Sequence, residues 1–399
     1  MHRCIFNGTV VTEDRLLPYH AVILNDDRIE AVLPMLELET FETNNGDMDY
    51  FDARGSFIMP GIIDVHSDYI ENVIQPRPQS LMDFEMSLRE AEKQLLGHGI
   101  TTMYHSLSLM NTSMALKAAV RHPENISKLV ELIRGFHEGR HLIRHRFHAR
   151  YEIDNLDGYE HLIGMIEAGN VHLLSLMDHT PGQGQYRDLT KYAETFQANR
   201  GSDSNEEFAK YLEMRINRPR ATHEMLVNLT RLAKTKGIVI ASHDDDTVDK
   251  LRLVQRDFDA DISEFPITME VASEAQRLGL TVVMGAPNIM MGKSHSGNLS
   301  ACEALVAGLV DVLCSDYYPA AVLNAVFKLV NEGLLELPQA VRLVTLNPAK
   351  AVDIDADFGS IVAGKKADLL VVSQLNECPL VHKVFIDGKA SAQYQYRVG

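Results

Sequence analysis

Met59-Pro-Gly-Ile-Ile-Asp-Val-His-Ser-Asp68 is the stretch on which the reading of the fold turns. Proline and glycine interrupt whatever precedes them, and Ile62–Val65 then reads as a short buried strand. The strand ends in His66-Ser67-Asp68. Side chains alternate along a strand, so an imidazole and a carboxylate two residues apart point the same way. An apolar strand that ends on two metal-type donors matches the mouth of a parallel β/α barrel, where active sites gather at strand C-termini.

Downstream of this point, short apolar runs alternate with longer helical patterns, the signature of repeated β/α units. Strands are expected at Ile62–Val65, Thr101–His105, Arg146–Ile153, His172–Met177, Ile238–Ser242, Phe265–Thr268, Thr281–Met284 and Asp311–Cys314. Helices are expected between them, at Leu81–Leu96, Ser113–Val120, Gly158–Ala168, Ala221–Lys236, Val271–Leu278 and Ala301–Leu309, followed by Ala320–Gly333 and Pro338–Leu346. Eight strands with intervening helices make an α/β protein, a (β/α)8 TIM-like barrel. The polar, glycine-containing stretch Gly182–Ser204 lacks periodicity and reads as a cover over the site.

Upstream of Met59 the texture is β-rich, with strands at Cys4–Phe6, Thr9–Thr12, Ala21–Leu24 and Ile29–Leu33. The far end repeats it at Asp368–Val372 and Val381–Ile386. Two β-rich ends around a long middle predict a small discontinuous β-sandwich domain, residues 1–58 with 352–399, and a barrel over residues 59–351.

Polar residues at the strand ends define the candidate site. His66 and Asp68 follow the first strand, Glu152 ends the third, His179 follows the fourth, His243 the fifth and Asp316 the last. Near Glu152, the residues His148, Asp154 and Asp157 compete for the same position. Three imidazoles and three carboxylates at one mouth suit two divalent ions bridged by a carboxylate; such donors accept zinc, manganese or iron.

Composition narrows the function class. The chain has 399 residues, 45% hydrophobic and 23% charged, which is ordinary for a folded protein with a large core. Its 38 basic and 55 acidic residues give a net charge of −17. That balance disfavours nucleic acid as a partner but admits a small anionic substrate at a cationic site. The four cysteines show no paired spacing, as expected of reduced thiols, and Cys302 and Cys314 read as core filler. No signal-peptide pattern and no run of about eighteen apolar residues is present. A cytoplasmic enzyme without membrane partners is expected, and a homodimer is the commonest assembly for such a protein.

The run Pro60-Gly-Ile-Ile-Asp-Val-His-Ser-Asp68 resembles the first-strand signature of the amidohydrolase superfamily. Gly359-Ser-Ile-Val-Ala-Gly-Lys-Lys-Ala-Asp-Leu-Leu-Val-Val372, preceded by Asn347-Pro-Ala-Lys-Ala351, is similar to that superfamily's return into its small β-domain. A narrower series resembles the PhnM family of phosphonate metabolism. It comprises Asp64-Val-His-Ser-Asp68, Pro76-Arg-Pro78, Gly99-Ile-Thr-Thr102, Ser175-Leu-Met-Asp-His-Thr-Pro-Gly-Gln183, Ala241-Ser-His-Asp-Asp245, Gly285-Ala-Pro-Asn288, Ser294-His-Ser-Gly-Asn298 and Cys314-Ser-Asp-Tyr317. This resemblance implies hydrolysis of ribose 1-methylphosphonate 5-triphosphate to the 5-phosphate and diphosphate.

Two departures stand out. The superfamily's usual His-x-His is His-x-Asp here, and no strand-end lysine offers a carbamylated bridge, so the bridging role falls to Glu152. Asp316 is expected to be both a ligand of the first metal and the acceptor of the attacking water's proton. A triphosphate needs further cations and donors. Arg77 in the stiff Gln75-Pro-Arg-Pro78 loop, Arg187 after Gly182-Gln-Gly-Gln185, and the loop containing Lys293, Ser294, His295 and Asn298 are the expected contacts. The nearest competing function is hydrolysis of a cyclic amide or N-acyl substrate, as in dihydroorotase-like or deacetylase-like enzymes, because the same site chemistry attacks a carbonyl. A catalytically silent scaffold is the other class, and it predicts lost ligands.

Overall fold

The structure, a computed structural model, describes residues 2–45, 48–111, 119–184, 189–190, 192–193, 205–292 and 298–397. The first strands are β1 (His2–Val11), β2 (Leu16–Asn25), β3 (Arg28–Pro34), β4 (Asp49–Asp52) and β5 (Phe57–Pro60). The barrel is built from β6 (Ile62–Ser67), β7 (Ile100–Leu109), β8 (Arg144–Glu152), β9 (Leu173–Met177), β10 (Val239–His243), β11 (Ile262–Glu264), β12 (Thr281–Gly285) and β13 (Val312–Cys314). The chain ends in β14 (Leu369–Leu375), β15 (Cys378–Ile386) and β16 (Lys389–Gln393).

Both termini build one sheet in the order β16-β15-β14-β5-β1-β2-β3, with β4 also paired to β1. The two halves join where β5 runs antiparallel to β14, Ile58 opposite Val371. The two strands expected over residues 4–12 are a single strand with a register shift between Ile5 and Gly8. Alternating inward residues Ile5, Val10, Val22, Leu24, Ile58, Leu369, Val371 and Phe385 form its core.

The second sheet holds β6 to β13 in strict sequence order, every pair parallel. It closes where Ser67 bridges Asp316: Asp316 N donates to His66 O at 3.0 Å and Asp68 N donates to Asp316 O at 2.8 Å. Below that seam, buried Asp64 accepts from Ser315 N at 3.1 Å. Interior side chains Ile63, Val65, Tyr104, Leu173, Val239, Ala241, Ile262, Val283 and Val312 fill the barrel. Opposite faces of the same strands bury Ile100, Phe147, Leu174, Ile240, Val282 and Leu313 against the helices.

Helix starts in four of the units follow one chemistry. Asp83, Thr222, Thr247 and Thr268 each accept a backbone N–H in the first turn of helices Phe84–Gly97, His223–Thr235, Val248–Phe258 and Met269–Arg277. Each such cap is worth about 1 kcal/mol. The helices at Pro123–Glu138, Asn205–Ile216 and Val248–Phe258 were not expected from periodicity. Most of the expected helix over residues 113–120, and most of the expected cover over residues 182–204, lies outside the described residues. No helix among the described residues is long and apolar enough to cross a membrane. None of the four cysteines is in a disulfide; Cys4 and Cys314 are buried, Cys302 is half-buried and Cys378 is exposed.

Candidate metal centre

The strand that decides the fold carries an irregularity that the sequence does not announce. Between Asp64 and Ser67 the pairing of β6 with β7 shifts register. Val65 packs in the barrel interior, and His66 next to it also faces inward, against His148, His243 and Phe265. Simple alternation would have sent one of them outward.

The other strands deliver their donors without irregularity. His243 is inward on β10 with Val239 and Ala241, and its ring stacks on His66 with centroids 5.3 Å apart. His179, two residues beyond β9, meets His243 edge-on at 5.9 Å. Glu152 ends β8 and accepts from His179 Nδ1 at 2.5 Å. Asp68, His243 and Asp316 line one cavity of about 240 Å3 at the barrel mouth. The six strand-end residues therefore converge on one region.

Two further acids join them. Glu264, the last residue of β11, is fully buried and accepts from His66 Nδ1 at 2.9 Å through Oε1. Its Oε2 accepts from His243 Nδ1 at 3.1 Å and from Ser175 Oγ at 2.8 Å. Ser175 in turn accepts from His148 Nε2 at 2.5 Å, so His148 belongs to the supporting layer. With both Nδ1 atoms committed as donors, His66 and His243 offer Nε2 as the free lone pair. Asp244 is the second addition. Its Oδ2 lies 3.6 Å from His179 Nε2 and 3.6 Å from His243 Nε2.

That spacing fits a cation. Two ligands held 2.0–2.1 Å from a tetrahedral ion are about 3.4 Å apart. Donor atoms of His179, His243 and Asp244 all lie within 4.8 Å of one another, as do those of His66, His243 and Glu264. In addition, Asp68 Oδ1 is buried without a hydrogen-bond partner, a costly state for a carboxylate oxygen that ligation would relieve.

Electrostatics favour the same reading. Burial lowers the His179 pKa, but Glu152 and Asp244 outweigh it and hold the ring at about 9. A cation ligated there would take the place of that proton, since ligation needs the neutral imidazole. Burial pushes the His243 pKa down, only partly offset by Asp244 and Glu264, so this ring is neutral. Burial takes His148 down to about 3. Burial raises Glu264, yet His66 and His148 bring it well below the usual carboxylate range.

Three residues around the cavity adopt left-handed backbone: Asp244 at φ 54°, Phe265 at φ 53° and Asp316 at φ 58°. For a bulky residue such as Phe265 this costs of order 1–3 kcal/mol, and strain of this kind collects at functional sites.

Residues 214–391 match the Amidohydrolase family. The chain is 31% identical over 365 residues to the alpha-D-ribose 1-methylphosphonate 5-triphosphate diphosphatase of Escherichia coli (strain K12), across 88% of this chain and 95% of that protein. The chain belongs to the amidohydrolase superfamily, in the family of that diphosphatase. As a member it is a hydrolase. Its fold is shared with N-acetylglucosamine-6-phosphate deacetylase from Pasteurella multocida (TM-score 0.64, 13% identity, 98% of this chain and 99% of that one). Molinate hydrolase shares it as well (TM-score 0.66, 15% identity, 98% and 94%).

In this amidohydrolase the expected anion contacts divide into three groups. Asn298 lines the cavity. Arg77 is exposed on its loop, where its carbonyl accepts from Ser80 N at 2.9 Å, and it does not line that cavity. Arg187, Lys293, Ser294 and His295 lie outside the described residues. Strand β11 runs Ile262–Glu264, whereas the residue pattern predicts it at Phe265–Thr268 and so passes over Glu264. Pro266 argued against that placement, since a proline cannot donate within a central strand.

Proposed function

We propose that this protein hydrolyses ribose 1-methylphosphonate 5-triphosphate to the 5-phosphate and diphosphate. The observation that carries the reading is the similarity to the diphosphatase along 88% of the chain. A cavity lined by Asp68, His243, Asp244 and Asp316, with the His66 and His179 rings against His243, supports it chemically.

His66, Asp68, Glu152 and Asp316 are assigned to one divalent cation. His179, His243 and Asp244, together with Glu152, would hold a second. Bound cations supply charge neutralisation at a phosphoryl oxygen and acidify water at neutral pH. Asp316 aims the attacking water and takes up its proton. The water oxygen bonds to the first phosphorus as the bond from that phosphorus to the bridging oxygen of the second breaks, and diphosphate departs with that bond's electron pair. Because diphosphate is a good leaving group once its charge is matched, the mechanism needs no strong general acid.

The test is an assay of diphosphate release from the ribosyl triphosphate, beside ammonia or carboxylate release from a panel of cyclic amides and N-acyl compounds. Diphosphate release confined to the triphosphate is expected. Turnover of an amide without any diphosphate release overturns the proposal.

A further inference from the structure

Strand β8 carries a second functional group inside the barrel. His148, Arg150 and Glu152 alternate onto its inner face, rising from the supporting layer to the mouth. Arg150 is two residues below Glu152, roughly 6.6 Å along the strand. It is half-buried and lines the same cavity as Asp68, His243, Asp244, Phe265 and Asp316.

Nearby guanidinium groups have acid partners. Arg121 pairs with Glu71 at 2.7 Å and reaches Asp68 at 3.8 Å, and Arg218 pairs with Asp154 at 3.3 Å. Arg150 does not. Among the described residues its hydrogen bond is from Nε to the weak acceptor Met177 Sδ at 3.3 Å, and no carboxylate lies within ion-pair distance. A guanidinium withdrawn from water without an anion is expensive, and its planar fork matches the oxygens of a phosphoryl group. Its place in the cavity lining beside Asp68, His243 and Asp316 puts it at the centre.

We propose that Arg150 is the specificity-determining cation of this site and binds oxygens of the phosphoryl group held next to the metal ligands. This rests on the phosphohydrolase reading above. Arg150 thereby selects a phosphorylated substrate over a neutral amide, which brings no anion to the cavity floor. Its position is distinct from that of exposed Arg77, which could meet only the outlying part of a substrate.

The experiment measures binding of inorganic phosphate to the metal-loaded protein by calorimetry, with metal content determined on each sample. Arg150→Met, close to arginine in length, is expected to weaken phosphate binding roughly 10–100-fold, the loss of a charge-assisted contact. Arg150→Lys is expected to recover part of it, and metal content is expected to match the unaltered protein. If Arg150→Met folds, keeps its metal and binds phosphate normally, the assignment to Arg150 fails while the phosphohydrolase reading stands. If metal is lost together with phosphate binding in both variants, Arg150 is a counter-ion to the ligands and the assignment is overturned. If the unaltered protein binds no phosphate, the functional reading itself fails and takes this assignment with it.

Discussion

Glu264 Oε1 lies 2.9 Å from Nδ1 of His66, while the other oxygen of the same carboxylate serves His243. One buried acid thus fixes the tautomer and aim of two imidazoles on different strands. Glu264→Gln keeps the shape but replaces one acceptor with a donor, so one ring loses its anchor. Loss of such an outer partner typically costs 10–100-fold in metal affinity. We expect a fall of that size in chelator competition, and unchanged affinity would remove Glu264 from this role.

Asp316 is held at φ 58° by the bridge to Ser67, with its backbone bonded to both His66 and Asp68. Asp316→Asn leaves that backbone intact and removes the proton acceptor. Turnover should drop by roughly 10²–10⁴ in line with loss of a general base, while metal content stays largely intact. Near-normal turnover in the asparagine variant would refute the assigned role.

The barrel and the terminal sheet are tied by Arg144 at the start of β8. It donates to buried Asp368 and, at 2.5 Å, to Asp387, with its guanidinium 4.6 Å above the Phe358 ring. Asp368→Ala leaves this buried cation short of charge, at a cost of about 3 kcal/mol. The urea midpoint reports it; a shift worth less than about 1 kcal/mol would show that Asp387 alone suffices.

A second histidine cluster makes the fold sensitive to acid. His105 and His145 stack with centroids 5.1 Å apart, His145 faces Glu92 at 3.1 Å, and all three are buried. Burial holds His105 well below its ordinary pKa and lowers His145 as well, against the pull of Glu92. In the unfolded chain both rings titrate near 6.5. Unfolded protein therefore takes up protons that folded protein refuses. Stability is complete above about pH 6.5 and is lost as pH falls below it, by up to about 1.4 kcal/mol per pH unit for each ring. Melting temperature should decline between about pH 7 and pH 5, and less steeply in His105→Gln. Equal slopes in the two proteins would show that His105 is not responsible.

The gathering of the strand-end side chains at the mouth was legible because residues just past apolar runs share the C-terminal ends of the barrel strands. His66, His179, His243 and Asp316 each interrupt or follow such a run, and their order along the chain matched their order around the mouth. Glu264 was not legible, because β11 is only three residues long and the hydrophobic texture of Phe265–Ile267 drew the strand past it. Arg150 was in principle visible. It lies between His148 and Glu152 on one alternating face, but a charged residue within a strand reads as solvent-facing unless both faces of the sheet are known to be covered. The bulge after Asp64 left no mark in residue types, and neither did the fusion of residues 2–11 into one strand, since both depend on partners far away in sequence.

The barrel seam joins Ser315 to Asp64 across 251 residues of chain. During synthesis, the donors near the N-terminal end of the barrel must wait while about 250 further residues are made before Asp316 can join them. A ribosome-bound fragment that stops short of β13 holds most of the ligands but has an open stave. Competence to retain metal should therefore appear abruptly, late in translation, rather than accumulate as each β/α unit emerges.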